Sequence, residues 1–569
     1  MNISKIMIQN FKCFDGQFIL KLNPNLNILV GDNNVGKSSI IEAINLALSG
    51  LIDGKYLRQE LNQHLFNNTV RERFFKSVNE SDSVDIPIPP SIVIEIFIGG
   101  IEDDSQKALF EGTYNYEKTK ACGFGLKIKL NDTYKPIYEE LIKKAGSISS
   151  LPLEYYDFHW YTFARDENLT STTIPVKAAL IDSTGNRYQN GSDVYISYIL
   201  RNVLEDSEKI AISQAHRNFK DFFASDPAVA AINQKIKGSI TLLNGELELS
   251  VDVSSRSTWE TSLTTSHDKV PFHYMGKGEQ TLLKAELALS HKKALEATVL
   301  LVEEPENHLS HTKLNKLLDF IKRANKDKQI IVSTHSSFVA NKLGLGDLIL
   351  LNKNDSSCVR ESMPFVDLSE ETKEYFEKLT GYDTLRFILC KSAILVEGDS
   401  DELVTDRAFM DLHDGKLPIQ SGVEILAVGM EFKRFLEIAK KLKKRVAVIT
   451  DTDGDIESID NKYKDYSGSD SSRIIIICYD PQIDTGNLTV GKNKSPFNYN
   501  TLEPKILKQN GMETMNRILK KNYSILDDLH LYMMGNKTEC ALKIFKTSEN
   551  ISFPEYILEA ISFVDNEQK

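Results

Sequence analysis

Short apolar runs that stop at glycine or acidic residues recur along the chain and predict buried β-strands. The clearest runs are residues 26–30, 298–302, 330–332, 392–396 and 445–449. Stretches with helical periodicity lie between such runs; residues 38–49, for example, repeat apolar side chains at the spacing of one helix face. Strand, turn and helix in alternation predict an α/β fold, in which ligands bind at the carboxyl ends of the strands.

The segment from about 190 to 240 interrupts this alternation. It lacks strand signals and carries helical runs, so we expect a helical insertion there. Apolar side chains recur at helical spacing at Ile196, Ile199, Leu200 and Val203. These side chains need a partner surface, which is either the protein's own core or a second copy of the chain. The insertion is therefore a candidate dimerisation element.

Size and composition indicate a multidomain protein of a reducing compartment. A chain of 569 residues is too long for one core, so we expect several domains. The six cysteines are scattered without a Cys-x-x-Cys pair, which argues against a zinc site or a disulfide framework. No apolar run approaches the ~18 residues of a membrane span, and no secretory signal is evident. We expect a cytoplasmic protein without a membrane partner, and the net charge of −12 does not exclude nucleic acid.

A glycine-rich loop follows the first apolar run. Residues 31–38 read Gly-Asp-Asn-Asn-Val-Gly-Lys-Ser, which fits the phosphate-loop pattern. Lys37 would supply a cation to the β- and γ-phosphates, and Ser38 a hydroxyl to Mg²⁺. A plain glycine turn before a helix is the alternative, but the strand–loop–helix context favours ATP binding. The residues expected to contact ATP are Gly31, Asn33, Asn34, Gly36, Lys37, Ser38 and Ser39.

Three further segments suit the same nucleotide. The run at 298–302 delivers Glu303 and Glu304 to a strand end, where one carboxylate can position Mg²⁺ and the next can orient or deprotonate the attacking water. His335, in the polar turn after another run, is a candidate γ-phosphate sensor. Gly278 lies in a glycine turn at a helix start, which can bind the γ-phosphate of a nucleotide held by another subunit.

Two acidic segments near the end of the chain also follow apolar runs. Glu397 and Asp401 come after one run, and Asp451 and Asp453 after the next. The alternative is that these segments are solvent-exposed polar loops between buried strands, without a functional role. Carboxylates from several loops, however, suit Mg²⁺ or Mn²⁺, which prefer oxygen ligands. The pair of segments therefore predicts a metal-dependent centre for phosphodiester chemistry.

The order of phosphate loop, glycine turn, paired glutamates and histidine turn resembles the ABC-type ATPase head of structural-maintenance-of-chromosomes proteins and their relatives. The resemblance gives Glu303 the metal-binding role, held by Asp in that family, and Glu304 the role of the base. The signature turn departs from the family's Ser-Gly-Gly-Gln and reads Gly-Lys-Gly-Glu-Gln from Gly276. It implies a head formed by residues 1–189 and 241–390, with residues 190–240 as the insertion.

Residues 391–569 resemble a Toprim domain. Glu503 matches a later acidic position, and Lys537 matches a lysine that stabilises charge at the scissile phosphate. Where Asp401 stands the family commonly has Glu. An ABC head followed by a Toprim domain is similar to the overcoming-lysogenization-defect (OLD) family of nucleases, which includes the nuclease subunit of Gabija defence.

This resemblance implies an ATP-binding and ATP-hydrolysing DNA endonuclease of antiphage defence. Its cofactors would be ATP and Mg²⁺ or Mn²⁺. The implied metal ligands are Ser38, Glu303, Glu397, Asp401, Asp451, Asp453 and Glu503, and the implied catalytic residues are Glu304, Glu397, Asp451, Asp453 and Lys537. Besides DNA, the implied partners are further copies of the chain, as a homodimer or larger even-numbered assembly, and an accessory defence protein or nucleic-acid trigger.

Two other functions fit parts of the pattern. A nucleotide-gated DNA-binding or sensor protein would keep the Toprim half as an inactive scaffold, and the complete acid set with Lys537 argues against it. Topoisomerase-like strand passage needs a nucleophilic tyrosine in a DNA-cleavage domain, and the sequence identifies none.

Overall fold

The computed structural model divides the chain into two compact units, Met1–Leu343 with Asp347–Pro364, and Gly344–Gly346 with Phe365–Lys569. The residues that it describes are 1–52, 55–80, 86–145, 148–167, 169–182, 188–189, 192–193, 204–237, 266–290, 297–324, 328–353, 360–364, 368–378, 383–466, 474–491 and 494–565.

The first unit contains strands β1 to β18 and helices α1 to α10. The strands are β1 Asn2–Gln9, β2 Gln17–Lys21, β3 Leu26–Gly31, β4 Leu51–Ile52, β5 Lys55–Tyr56, β6 Ile92–Gly99, β7 Glu111–Gly112, β8 Ala121–Leu130, β9 Tyr156–Thr162, β10 Ala178–Asp182, β11 Tyr188–Gln189, β12 Ser192–Asp193, β13 Ser266–His267, β14 Val270–Pro271, β15 Val299–Glu303, β16 Gln329–Ser333, β17 Leu348–Lys353 and β18 Arg360–Pro364. The helices are α1 Lys37–Ser49, α2 Leu57–Glu60, α3 Asn68–Glu80, α4 Asp104–Phe110, α5 Lys135–Ala145, α6 Asp206–Ser225, α7 Pro227–Lys237, α8 Lys277–Ser290, α9 His311–Ala324 and α10 Ser337–Leu343.

A mixed sheet in the order β10-β15-β16-β3-β17-β18 positions the predicted nucleotide segments. Its strands are parallel except β18, which is antiparallel to β17. In the register, Glu303 of β15 lies beside Ser333 of β16, which in turn lies beside Leu29 of β3. Because parallel strands end at a common edge, the segments that follow β3, β15 and β16 emerge together.

A second, antiparallel sheet runs in the order β2-β1-β6-β8-β7, with β9 beside β8. Its inner face and the parallel sheet share one apolar core that includes helix α1. Representative fully buried members are Ile6 and Ile96 from the antiparallel sheet, Ile41 from α1, and Leu301 and Ile331 from the parallel sheet. This core explains the apolar runs in both the N-terminal and the later parts of the unit.

Gln329 joins the two sheets through a buried amide. Its Oε1 accepts from the Ile3 backbone N–H at 2.8 Å, and its Nε2 donates to the Ile3 and Asn23 carbonyls, each at 2.7 Å. The side chain thereby gives the N–H and the carbonyl of Ile3 a partner in the apolar core, and it adds a second donor to the Asn23 carbonyl, which also accepts from Asn27 Nδ2 at 2.9 Å.

Two helices, α6 and α7, occupy most of the described part of the predicted insertion, and the short strand β12 lies at its start, where the sequence showed no strand signal. The apolar positions that the sequence singled out at 196, 199, 200 and 203 lie outside the described residues. In α6 and α7 the structure instead exposes other large apolar side chains, with Phe219 66% and Phe222 69% exposed and Ile210 and Ile232 also at the surface.

The second unit is built on a parallel sheet in the order β20-β19-β21-β22. Its strands are β19 Ser392–Val396, β20 Val423–Ala427, β21 Arg445–Ile449, β22 Ile475–Cys478, β23 Thr489–Val490 and β24 Ser495–Pro496. Its helices are α11 Glu370–Lys378, α12 Asp383–Leu389, α13 Asp399–Leu412, α14 Phe432–Leu442, α15 Ile456–Tyr463, α16 Leu502–Leu519, α17 Leu526–Gly535, α18 Lys537–Lys546 and α19 Glu555–Asp565. No helix in the described residues is long and apolar enough to cross a membrane.

The second unit begins at Phe365, before the domain boundary that we predicted between residues 390 and 391. Helices α11 and α12 pack on α14 through aromatic rings: the centroid of Phe435 lies 5.2 Å from that of Phe376 and 5.3 Å from that of Phe387. The hydroxyl of Ser369 also donates to Glu437 of α14 at 2.8 Å. These contacts, which the local sequence pattern does not display, assign the two helices to this unit.

We predict that Gln329→Leu destabilises the first unit by roughly 2–4 kcal/mol, because the buried N–H and carbonyl of Ile3 both lose their hydrogen bond to this side chain. Trp160 lies in β9 of this unit, so its fluorescence during urea unfolding reports on the unit. The matched control is Gln17→Leu, because Gln17 is exposed on β2. A midpoint shift in Gln329→Leu no larger than in Gln17→Leu would refute the linking role of the amide.

Candidate nucleotide and metal sites

The phosphate loop connects β3 to α1, as the sequence predicts. Gly31 and Gly36 have φ angles of +154° and +107°, and a Cβ on Gly36 would lie 2.7 Å from Cys13 Sγ and 2.8 Å from Phe14 Cζ. Only glycine fits this turn, because both the left-handed backbone and the close side chains exclude a Cβ.

The predicted ATP-contacting residues lie around this turn. Asn33 and Asn34 are exposed, whereas Ser38 and Ser39 lie half-buried in the first turn of α1. Lys37 is buried, and its Nζ donates to the carbonyls of Gly31 at 2.8 Å and Asp32 at 2.9 Å.

Burial lowers the pKa of Lys37 to about 8, although three nearby acids, Glu304, Asp32 and Glu306, oppose this shift. The side chain is thus a partly desolvated cation inside a backbone loop at a helix N-terminus. Such a loop complements a polyphosphate, because both the ammonium group and the loop's N–H groups favour anionic oxygen.

Glu303, Glu304 and His335 gather at the same sheet edge. Glu303 is buried at the end of β15, and Glu304 follows it with a φ of +41°. The carboxylate of Glu304 accepts from Asn307 Nδ2 at 2.8 Å, and its Oε1 lies 3.6 Å from Nε2 of His335. Burial lowers the pKa of His335, with Lys37 adding to the shift, so the imidazole is neutral at neutral pH.

Glu306 is a buried acid of this edge that the sequence analysis did not select. Its Oε1 accepts from Thr334 Oγ1 at 2.7 Å and from the His335 N–H at 2.8 Å. Its Oε2 is buried without a hydrogen-bond partner among the described residues, and burial raises the pKa of the carboxyl. Glu306 therefore ties the loop after β15 to the loop after β16. The spacing Glu304-Pro305-Glu306 was the available signal.

The glycine turn ahead of α8 packs within its own chain. A Cβ on Gly278 would lie 2.5 Å from the His308 carbonyl oxygen, so the turn rests on the segment that follows the paired glutamates. Gln280 fixes the turn by donating to the carbonyls of Phe272 at 2.8 Å and Met275 at 3.1 Å. The contact of Gly278 with a nucleotide of another subunit stays a prediction.

The acidic edge of the second unit starts where β19 and β21 end. These strands are parallel neighbours, with Leu395 beside Val448, so the loops that follow them meet. Glu397 joins the loops, because its Oε1 accepts from Thr450 Oγ1 at 2.7 Å and from the Asp451 N–H at 3.2 Å. Thr450 is a supporting residue that the sequence analysis missed.

Four carboxylates influence one another at this edge. Burial raises the pKa of Asp451 to about 8, and the charges of Asp401, Glu397 and Glu503 add to the shift. Burial likewise raises the pKa of Asp401 to about 6, with Glu503 and Glu397 contributing. Oxygen donors that repel one another in a buried site are suited to a divalent cation, which would neutralise them.

Lys537 lies beside this acidic group at the start of α18. Its Nζ is 3.3 Å from Glu503 Oε2. Burial alone would lower its pKa, but Glu503, Asp451 and Asp401 outweigh that and raise it. The predicted lysine is therefore a charged neighbour of three of the predicted ligands.

Asp453 stands apart from the other acids. It has a φ of +50°, and its Oδ1 accepts from Asn498 Nδ2 at 2.6 Å. It does not appear among the charges that shift the pKa of Asp451 or Asp401. Across the described residues, no three acidic, histidine or cysteine side chains converge tightly enough to define a metal position, so the acids are gathered at one edge without forming a closed ligand shell.

Two family models match the chain. One, described as "AAA domain, putative AbiEii toxin, Type IV TA system", matches residues 26–341, which is more than half of the chain. The other, described as "Overcoming lysogenization defect protein-like, TOPRIM domain", matches residues 388–453. The fold and the two sites thus define an ATPase domain followed by a Toprim domain. The chain belongs to the AAA-domain family of the first model, and its architecture is that of the OLD family, which confirms the resemblance drawn from the motifs.

Comparison with solved structures returns ATPase heads. The crystal structure of the SmcHead bound to the C-winged helix domain of ScpA is 17% identical, covers 65% of this chain and 99% of its own, and has a TM-score of 0.33. The SMC head domain from Thermotoga maritima is 15% identical, covers 64% and 99%, and has a TM-score of 0.28. No curated protein matches the chain. The two domains together indicate a nucleotide-dependent nuclease that uses a divalent metal.

Proposed function

We propose that the protein is an ATP-binding and ATP-hydrolysing, divalent-metal-dependent DNA endonuclease that serves in antiphage defence. The observation that carries the nuclease is the group of Glu397, Asp401, Asp451 and Glu503 at one sheet edge with Lys537 beside it. The defence role rests on the resemblance to the OLD family.

In the proposed nuclease, Mg²⁺ or Mn²⁺ bound by the carboxylates would activate water and polarise the scissile phosphate. Asp401, Asp451 and Glu503 would supply ligands, and Glu397 would both ligate and hold the loop of Asp451 in place through its two accepted hydrogen bonds. Lys537 would face the negative charge that develops on the phosphate. Asp453, held by Asn498, would be a further metal ligand.

In the proposed ATPase, Lys37 would bind the β- and γ-phosphates while Ser38 and Glu303 hold Mg²⁺. Glu304 would orient and deprotonate the attacking water, and His335 would sense the γ-phosphate. Glu306 would act as a positioning residue, because it holds the backbone of His335 and the hydroxyl of Thr334 in one arrangement. Nucleotide contacts made by Gly278 would require a second subunit.

We further propose a homodimer or larger even-numbered assembly that uses the insertion. The exposed apolar side chains of α6 and α7 support this assembly, because large apolar patches on a soluble surface mark interaction sites. Such an assembly would persist without nucleotide, whereas pairing through the ATPase heads alone would need ATP.

We predict that Asp451→Asn lowers plasmid nicking by about 100-fold or more, the upper end of the loss seen when even a supporting residue of a metal site is removed. EDTA should abolish nicking by the unaltered protein, and added Mn²⁺ should raise its melting temperature more than that of the variant.

The control is Asp528→Asn, which removes an exposed carboxylate from the first turn of α17 and should leave nicking unchanged. Full nicking by a folded Asp451→Asn protein would overturn the metal site. ATP hydrolysis and DNA binding without cleavage under every metal condition would favour the nucleotide-gated sensor instead.

We predict that Glu304→Gln binds ATP normally but hydrolyses it at least about 100-fold more slowly, because an amide cannot act as a base. Lys37→Ala should instead weaken ATP binding itself, since the loop loses its cation. Binding is measured with a fluorescent ATP analogue and turnover by phosphate release. Glu72→Gln, which changes an exposed glutamate of α3, serves as the control; normal turnover in Glu304→Gln would move the role of the base to Glu303.

We predict that light scattering gives the nucleotide-free protein the molar mass of two chains or a larger even number of chains. Phe219→Ser combined with Phe222→Ser should convert this assembly to a monomer. The variant removes two exposed rings from α6 and should leave the fold intact. Phe320→Ser is the matched control, because Phe320 is an exposed ring of α9, outside the insertion. A strictly monomeric unaltered protein at micromolar concentration would contradict assembly through the insertion.

A further inference from the structure

A cavity of about 610 Å³ lies in the second unit beside helix α16. This volume is in the range of pockets that hold small organic groups. Its walls come from α16, from α17 and the residues before it, and from the loops around Asp484 and Tyr499. Helix α16 is broken at Gly511, which has a φ of +75° and lines the cavity. The helix is therefore kinked at the point where it forms part of the cavity wall.

The cavity shares a chain segment with the proposed metal edge. Within residues 498–504, Asn498 donates to Asp453, Tyr499 lines the cavity, Glu503 belongs to the acidic group, and Pro504 lines the cavity again. Asn500 fixes this segment to the opposite wall, because its side chain exchanges hydrogen bonds of 2.7 Å and 3.0 Å with the backbone of Asp484. The cavity and the acidic edge are therefore formed in part by the same short segment, in which Glu503 and Pro504 are consecutive residues.

The walls combine flat rings, apolar side chains, hydrogen-bond donors and hydrogen-bond acceptors. The rings of Tyr499 and His530 meet edge to face, with centroids 5.4 Å apart, and burial lowers the pKa of His530, so its ring is neutral at neutral pH. Leu507 and Met512 supply apolar surface. The carboxylate of Asp484 accepts from Lys508 at 2.6 Å, and Lys508 is half-exposed.

These features match the chemistry of a nucleobase. A base offers a flat apolar face to aromatic and aliphatic side chains, and its edge offers donors and acceptors together. A lysine at the rim can contact the adjoining backbone phosphate. A metabolite of the same size would meet the same walls, but only a base attached to the DNA strand would use the link between the cavity and the acidic edge.

We propose that this cavity receives one unstacked nucleobase of the DNA strand that lies at the metal edge, so that the enzyme prefers DNA with an unpaired base next to the cleaved bond. This inference rests on the proposed nuclease function and names its substrate class. An enzyme that takes a base out of the duplex must supply the energy of unpairing, and a base that is already mispaired removes that cost.

The test compares the affinities of three duplexes that differ at one position, which carries a matched pair, a mismatched base or an abasic site. Binding is measured by fluorescence anisotropy with Ca²⁺, and the position is moved stepwise along the duplex. At one position the mismatched duplex should bind at least about tenfold more tightly than the matched duplex, because unpairing no longer has to be supplied. The abasic duplex should lose much of this gain, since it has no base to fill the cavity.

Leu526→Trp fills the cavity from its rim and should remove the preference for the mismatched duplex. Leu526 is 48% exposed, so a larger ring is tolerated there. Met512→Phe narrows the cavity from the side of α16 and should have the same effect. Leu542→Trp is the matched control, because Leu542 is a leucine of α18 with 40% exposure that does not line the cavity.

Several outcomes would overturn the inference. If the protein binds mismatched and abasic duplexes with equal affinity, and Leu526→Trp leaves both affinities unchanged, the preference over the matched duplex comes from DNA flexibility. A second contrary result has two parts: a nucleoside monophosphate binds saturably and Leu526→Trp abolishes this binding, while the protein shows no preference among the duplexes. That result would assign the cavity to a free effector. Duplex cleavage is followed in parallel: cleavage without the preference overturns the pocket alone, and the preference without cleavage overturns the nuclease alone.

Discussion

Repulsion among four carboxylates, of which Glu503 is buried and the other three are partly buried, is the constraint on which the second unit's proposed chemistry depends. Each carboxylate would be ionised in water, but burial and its neighbours raise the pKa of Asp451 to about 8 and that of Asp401 to about 6. Four separate elements hold the acids in place: the ends of β19 and β21 and the starts of α13 and α16. Because the apolar core beneath fixes these elements, the acids cannot move apart. A bound cation would stabilise this arrangement, because the single positive charge of Lys537 balances only part of the negative charge of the four acids.

The nucleotide site of the first unit also combines one lysine with several acids, but its lysine lies inside a backbone loop. There a single buried ammonium, that of Lys37, lies among Asp32, Glu304 and Glu306, and burial still lowers its pKa to about 8. A site with one partly desolvated cation and many backbone donors complements an anion, whereas a site of clustered acids complements a cation. The two edges thus differ in how their lysine is held: Lys37 donates to carbonyls of a loop at a helix N-terminus, whereas Lys537 pairs with one of the clustered acids.

The sequence predicted the strand ends well because parallel sheets place their polar chemistry directly after buried apolar runs. Lys37, Glu304, Glu397 and Asp451 were selected in this way, and each lies in the turn after a strand or at the helix start that follows it. Glu306, Thr450 and Asn498 were not, because each acts through a hydrogen bond to a residue that is distant in the sequence or on a neighbouring strand. The packing of α11 and α12 on Phe435, which places these helices with the second unit, likewise leaves no local pattern in the sequence.

Backbone conformation gives an independent mark on both edges. Glu304 and Asp453 are not glycines, yet they have φ angles of +41° and +50°, as do Asn34 of the phosphate loop and His308 beside Gly278, at +64° and +63°. Each such residue costs on the order of 1–3 kcal/mol and persists only where its surroundings impose the conformation. At Glu304 those surroundings are the hydrogen bond from its N–H to Ser333 and the amide of Asn307, and at Asp453 the amide of Asn498. Among the proposed site acids, Glu304 and Asp453 have this conformation, whereas Glu303, Glu397, Asp401, Asp451 and Glu503 do not. Backbone strain therefore marks one acid at each edge, and the remaining acids reach their positions through ordinary strand ends and helix starts, which cost the fold no such strain.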